Sequence, residues 1–171
     1  MSEQHHRHHD TPLGAVLLIG HPAGLCGVYF DDHVGLAGIE RGRAAGDREL
    51  DDARDALDRY FAGTLRAFAL SVAPRGTAFQ HRVWAALRAV PYGDTTDYRS
   101  IAARIGQPGA ARAVGAASAR NPLCVIVPCH RVVATGGALT GYAGGLLRKQ
   151  ALLDHERART KAVVPWPPLH G

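Results

Sequence analysis

The stretch Val72-Ala73-Pro74-Arg75-Gly76 cuts the 171-residue chain into two parts of different character, and this break limits the available folds more than any other feature. Short apolar runs and a surplus of acids precede it; helical periodicities and a surplus of arginine follow it. Residues 1–74 hold seven Arg against eleven Asp and Glu, whereas residues 75–160 hold eleven Arg and one Lys against four acids, Asp94, Asp97, Asp154 and Glu156. GC-rich coding would explain Arg in place of Lys but not the thinning of acids, so the asymmetry points to a nucleic-acid partner. The length suits one ordinary domain or two small ones sharing a core. No run reaches the roughly 20 apolar residues of a membrane span, and no basic start followed by an apolar segment marks a signal peptide. With only Cys26, Cys124 and Cys129 available, a disulfide framework is not expected, and a soluble, cytoplasmic protein is.

The first part reads as a small α/β layer over residues 10–72. Two apolar runs at 14–19 and 25–30, separated by His21-Pro22-Ala23-Gly24, predict a β-hairpin, and a further short strand is expected near 34–39. Leu50, Ala53, Leu57 and Tyr60 or Phe61 fall at helical spacing within 48–61. No chemistry is evident in this layer, and Cys26 reads as a core thiol. The preceding residues 1–9, with His5-His6-Arg7-His8-His9, read as a disordered tail in preference to a metal site.

After a linker over 73–77, residues 78–160 read as a mainly helical domain, so the fold class is α+β. Thr77 with Gln80 three residues later forms a capping-box signature, and Phe79, Val83, Leu87 and Val90 supply one apolar face. Helices expected near 97–105 and 110–119, joined by Gly106-Gln107-Pro108-Gly109, suit a helix-turn-helix. The second is lined almost wholly by Ala, Gly and Ser around Arg112 and Val114, which permits close approach to another surface. Asn121-Pro122 ends it. Leu123-Cys124-Val125-Ile126-Val127 then predicts a buried strand that delivers Pro128-Cys129-His130-Arg131 at its end. A Gly-rich loop and a last helix over 146–159 follow, with Leu147, Ala151 and Leu152 or His155 as inner positions. Residues 161–171 read as an irregular tail.

A thiol beside an imidazole and a guanidinium can be activated as a nucleophile, and Glu156 is a candidate third member that orients the imidazole. Taken alone, Cys129-His130 reads more readily as a buried core thiol beside an incidental histidine. Zinc is not indicated: there is no CxxC pair, and no metal is expected.

The motif Asn121-Pro122 followed by Val125-Ile126-Val127-Pro128-Cys129-His130-Arg131-Val132-Val133 resembles the active-site signature of the O6-alkylguanine-DNA alkyltransferases. Ala110-Ala111-Arg112-Ala113-Val114-Gly115 is similar to that family's recognition helix. Tyr92-Gly93 through Tyr98, and Gly141-Tyr142 with Gly144-Gly145 before Leu152-Leu153 and His155-Glu156, keep the family's order over residues 79–156. The resemblance implies direct reversal of DNA damage. An alkyl group passes irreversibly from O6-alkylguanine in duplex DNA to Cys129, with O4-alkylthymine left open as a second substrate. It also implies minor-groove docking of the helix-turn-helix and extrusion of the damaged base. His130, Glu156 and a water would polarise Cys129, Tyr98 would assist proton delivery to the leaving base, and Asn121 would tie the recognition helix to the active-site strand. Arg112 would fill the gap left in the base stack, and Tyr98, Arg99, Gln107 and Thr135 would contact DNA. No cofactor is implied. The partner would be double-stranded DNA carrying alkylated guanine, bound by a monomer, with cooperativity along DNA left open. Ala143 stands where many relatives have a serine. Two other readings remain: a non-repairing sensor of alkylated DNA, and a thiol hydrolase using Cys129, His130 and Glu156.

Overall fold

The computed structural model describes residues 3–46 and 50–161. Its N-terminal layer is a four-stranded sheet in the order β3-β2-β1-β4, built from β1 (His5–Thr11), β2 (Gly14–His21), β3 (Gly24–Phe30) and β4 (Arg43–Ala44). The expected hairpin is β2–β3, antiparallel from Val16 opposite Phe30 to His21 opposite Gly24. Its apolar residues interleave with helix α1 (Asp51–Phe61), which buries Ala53, Ala56, Leu57, Tyr60 and Phe61. Arg48, at the expected start of this helix, lies outside the described residues.

Two expectations for this layer are corrected. The His-rich start is a strand rather than a disordered tail: β1 pairs with β2 along its whole length, and its polar side chains find partners on α1 and just after β3. His9 Nε2 lies 2.7 Å from Asp58 and His8 Nδ1 lies 3.4 Å from Asp31. Backbone pairing needs no apolar side chains, so composition misread this segment. Near 34–39 there is a turn of 3-10 helix, Leu36–Gly38, in place of a strand. Local bonds claim the backbone there, from Gly35 N–H to His33 Nδ1 (2.9 Å) and from Leu36 N–H to the His33 carbonyl (3.0 Å).

The C-terminal part contains α2 (Ala78–Arg88), α3 (Tyr98–Arg104), α4 (Ala111–Ala119) and α5 (Leu146–Lys161), with the short parallel pair β5 (Thr96–Asp97) and β6 (Val132–Val133). Thr77 and Gln80 form the capping box at the start of α2. Asp97 caps α3 through Ser100 N–H at 2.7 Å. Gly106, with φ of +76°, ends α3 in the left-handed conformation glycine tolerates. Trp84 of α2 donates to the Ala117 carbonyl of α4 at 2.9 Å, locking the helix-turn-helix onto the core. Residues 162–171, expected as an irregular tail, lie outside the described residues.

The expected strand over residues 123–127 does not form. Leu123 makes one parallel bridge to Val28 of β3, after which Val125 turns the chain with φ of +70°. Ile126 N–H bonds back to the Cys124 carbonyl at 2.8 Å, a γ-turn with positive φ that is rare and strained for a β-branched residue. A second γ-turn closes around Pro128, where Cys129 N–H meets the Val127 carbonyl at 2.8 Å, and Cys129–Arg131 continue as a turn of 3-10 helix. Every residue from 121 to 133 is buried. The apolar run signalled burial correctly; the side-chain bonds that bend it are not visible in hydropathy.

Replacing Thr77 with Ala removes the reciprocal cap of α2 and is expected to cost about 1 kcal/mol of stability, read as a lower midpoint of urea unfolding with an unchanged slope.

Candidate active site

Cys129 sits where the bent segment meets α5, 8 % exposed. Its Sγ accepts a hydrogen bond from Asn121 Nδ2 at 3.1 Å. The same amide nitrogen donates to the Val127 carbonyl at 2.9 Å, and Asn121 Oδ1 accepts from Leu123 N–H at 2.9 Å. Asn121 therefore fastens the end of α4 to the bend, and it also touches the sulfur. Burial pushes the Cys129 thiol above its ordinary value, while the Asn121 bond and the charge of Lys149 pull the other way. The resting group is a thiol, and its use as a nucleophile requires a base.

His130 is fully buried and does not bond Cys129 directly. Its Nε2 lies 2.8 Å from Glu156 Oε1. Burial by itself would raise the Glu156 carboxyl, but His130 and Arg131 hold it far below the usual carboxylate range. An ionised carboxylate can only accept, so it is Nε2 of His130 that donates to Glu156. Nδ1 is buried and makes no hydrogen bond to the protein. The site thus has a buried ring nitrogen without a protein partner on the residue that follows the thiol in sequence.

Arg131 does not face the thiol. It grips Glu156 with Nε to Oε2 and Nη2 to Oε1, both 2.9 Å, and reaches the Val90 carbonyl at 2.7 Å. Gly93 N–H adds a bond to Oε2 at 3.3 Å. Gly93 has φ of +84°, and a Cβ there would fall on Thr160 of α5, so this approach requires glycine. From the N-terminal layer, the Tyr60 hydroxyl donates to Glu156 Oε1 at 2.7 Å.

Tyr60 and Lys149 are functional candidates that sequence reading missed. The sequence suggested no chemistry in residues 10–72, because a Tyr on an apolar helix face looks like core. Lys149 is fully buried, with Nζ bonded to the Thr140 carbonyl at 2.8 Å. The expected phase of α5 is corrected accordingly. Leu147 is 89 % exposed, and the inner positions are Lys149, Leu152, Leu153, His155 and Glu156. Apolar spacing found Ala151, Leu152 and His155 but misplaced Leu147, and it passed over Lys149 and Glu156 because that face carries polar side chains too. Burial and the Arg159 charge lower His155 to about 4, so it packs neutral, its Nε2 donating to the Tyr60 carbonyl at 2.9 Å.

The expected DNA-contacting residues lie on α3 (Tyr98, Arg99), in the turn after it (Gln107), on α4 (Arg112) and after β6 (Thr135). The β5–β6 ladder, with Asp97 opposite Val133, sets the start of α3 beside the loop after Val133. Tyr98 is half-buried, its hydroxyl 3.4 Å from the Thr140 carbonyl. Arg99, Gln107, Arg112 and Thr135 are exposed. On α4 the exposed face consists of Arg112, Ala113, Ala116 and Ala119, followed by Arg120, while Val114, Ala117 and Ser118 pack inward. Small residues flanked by arginines suit close approach to a phosphate backbone. Among the described residues, no group of three or more His, Cys, Asp or Glu side chains is placed to hold a metal ion, and no helix is long and apolar enough to cross a membrane.

Residues 5–74 match the family model for the 6-O-methylguanine DNA methyltransferase ribonuclease-like domain, and residues 78–158 match that for the 6-O-methylguanine DNA methyltransferase DNA binding domain. The chain is 45 % identical over 161 residues to a methylated-DNA–protein-cysteine methyltransferase of Mycobacterium tuberculosis, covering 92 % of this chain and 95 % of the relative. It is 44 % identical over 147 residues to the protein of that name from Methanosarcina acetivorans, covering 86 % and 94 %. Among solved structures, the Mycobacterium tuberculosis OGT in complex with DNA superposes with a TM-score of 0.83 at 46 % identity, covering 91 % of this chain and 94 % of that one.

Replacing Glu156 with Gln breaks the buried pair with Arg131 and is expected to cost roughly 3–5 kcal/mol at neutral pH. Because the folded-state carboxyl is depressed, its contribution is fully present above the free value of about 4.3 and drains as pH falls below that. The stability gap between the two proteins, measured by urea unfolding, should therefore narrow below about pH 4.

Proposed function

The chain belongs to the 6-O-methylguanine DNA methyltransferase family and repairs DNA by alkyl transfer to a cysteine, and from this premise we propose that the cysteine is Cys129 and that each molecule acts once. The observation that carries the reading is the order of groups behind the thiol: Asn121 on the sulfur, and His130 with a free Nδ1 backed by ionised Glu156. The substrate is O6-alkylguanine in duplex DNA.

The thiol proton passes through a bridging water to His130 Nδ1, and the imidazolium is stabilised by Glu156. The thiolate attacks the alkyl carbon; the S–C bond forms as the C–O6 bond breaks, and the electron pair leaves with guanine. Tyr98, at the start of α3, relays a proton to the departing base, so guanine is restored and Cys129 becomes a thioether. A thioether is a poor leaving group, and none of the site residues is equipped to displace it. The helix-turn-helix docks in the minor groove. Arg112, exposed near the start of α4, occupies the space of the extruded base, whose extrusion costs a few kcal/mol. The protein binds as a monomer and works in the cytoplasm. A sensor that only binds the lesion would have no use for an acceptor thiol in this setting.

With duplex DNA bearing a single O6-methylguanine, intact mass should show one methyl per protein, mapped to Cys129, and no second methyl with fresh substrate. Cys129→Ser should gain none and still bind the duplex. A methyl on another residue, or a persistent lesion, would sink the reading. Arg112→Ala should slow transfer roughly tenfold on paired duplex, and less where the lesion faces an abasic gap that already lowers the cost of extrusion.

A further inference from the structure

Tyr60 belongs to α1 of the N-terminal layer, yet its hydroxyl ends on the carboxylate at the centre of the C-terminal site, 2.7 Å from Glu156 Oε1. That oxygen is the one that holds His130, at 2.8 Å, and it also receives Arg131 Nη2 at 2.9 Å. Tyr60 is fully buried. Its ring packs edge-on to Phe61 and Tyr92 and tilted against Phe68 and His155, with centroids 5.0–6.1 Å apart. Its carbonyl is fixed separately by His155 of α5. The hydroxyl is therefore aimed by its surroundings and has little freedom to turn elsewhere.

We propose that Tyr60 is a positioning residue for the transfer reaction: by donating to Glu156 it limits that carboxylate's pull on the His130 proton and keeps Nδ1 of His130 free to accept the proton of Cys129. The inference rests on the reading of Cys129 and His130 above. Each donor to an anionic oxygen stabilises its charge and weakens its hold on the remaining donors. Without Tyr60, Oε1 would be shared by His130 and Arg131 alone and would draw more strongly on the imidazole. That favours imidazolium, which has no lone pair for the thiol. The charged and titratable groups that interact with Glu156 or His130 are Tyr60 from α1, Tyr92 from the turn after α2, Arg131 beside His130, and His155 from α5, with Arg66 and Arg159 behind Tyr92 and Arg159 beside His155. Among the described residues, the side chains that donate to the carboxylate are Tyr60, His130 and Arg131. Tyr60 is the one whose donor can be removed without removing a charge.

The test is the pH dependence of single-turnover methyl transfer, with Tyr60→Phe compared with the unaltered protein on the same lesion duplex and His130 titrated in parallel by imidazole NMR. Phe keeps the ring contacts. The acid limb of the rate profile and the His130 titration should both move up by about half a pH unit or more, with affinity for the duplex unchanged. Incorporating 3-fluorotyrosine at Tyr60, which keeps the shape and strengthens the donor, should move both the other way; this arm also serves if Tyr60→Phe fails to fold. Profiles that superimpose on the unaltered protein, or that move the same way in both variants, overturn the proposal and leave Tyr60 a packing residue. If the unaltered protein takes no methyl on Cys129, the acceptor reading is what fails, and the His130 titration decides the part of Tyr60 by the same criterion.

Discussion

Glu156 carries a negative charge in a place with no access to water, and hydration has to be replaced by donors from the chain. Five bonds do so: from Tyr60 on α1, Gly93 in the turn after α2, His130, and Arg131 twice. No local arrangement could supply them. Satisfying one carboxylate therefore pins α1, the turn at 93, the 129–131 segment and α5 to one another. The same carboxylate holds Nε2 of His130, the residue proposed as the base for the thiol. The closure of the fold and the readiness of the site depend on the same interaction.

Cys129, the proposed nucleophile, follows a segment that resists its own sequence preference. Residues 123–127 have the composition of a buried strand, yet Val125 adopts a left-handed backbone and Pro128 sits in a second tight turn. The edge of β3 grips the segment at Leu123, and Asn121 bonds it at three points including the sulfur. A strained turn persists only where its surroundings over-determine it, and here the surroundings are the N-terminal sheet on one side and an asparagine amide on the other. The N-terminal layer is thus more than a cover, since β3 holds the bend and Tyr60 reaches the carboxylate.

The basic character of the second half divides between two tasks. Arg131 and Arg159 are buried, and Arg148 is bonded to Asp32 and to the Leu13 carbonyl, so these three serve the interior and the contact between the layers. Arg99, Arg104, Arg112 and Arg120 remain exposed on or beside the helix-turn-helix, where the charge asymmetry has its meaning for DNA. The counted surplus of charge indicated the partner class correctly, but burial decides which arginines can meet it.

Much was legible in one dimension because it is local. The capping box at Thr77, the glycine end of α3, the helix-turn-helix spacing and the order of Asn121, Cys129 and His130 each depend on residues a few positions apart, and periodicity and turn chemistry report such features directly. The β1 strand, the bend at Val125, the inward phase of α5 and the parts taken by Tyr60, Gly93, Arg131 and Lys149 were not legible. Each follows from pairing across the chain, Tyr60 with Glu156 being 96 residues apart. Sequence by itself determined the α+β class and which residue types could carry the chemistry. Only the tertiary structure decided which of them meet, because a buried charge is stabilised by whatever donors the fold brings within about 3 Å of it, and hydropathy does not record that distance.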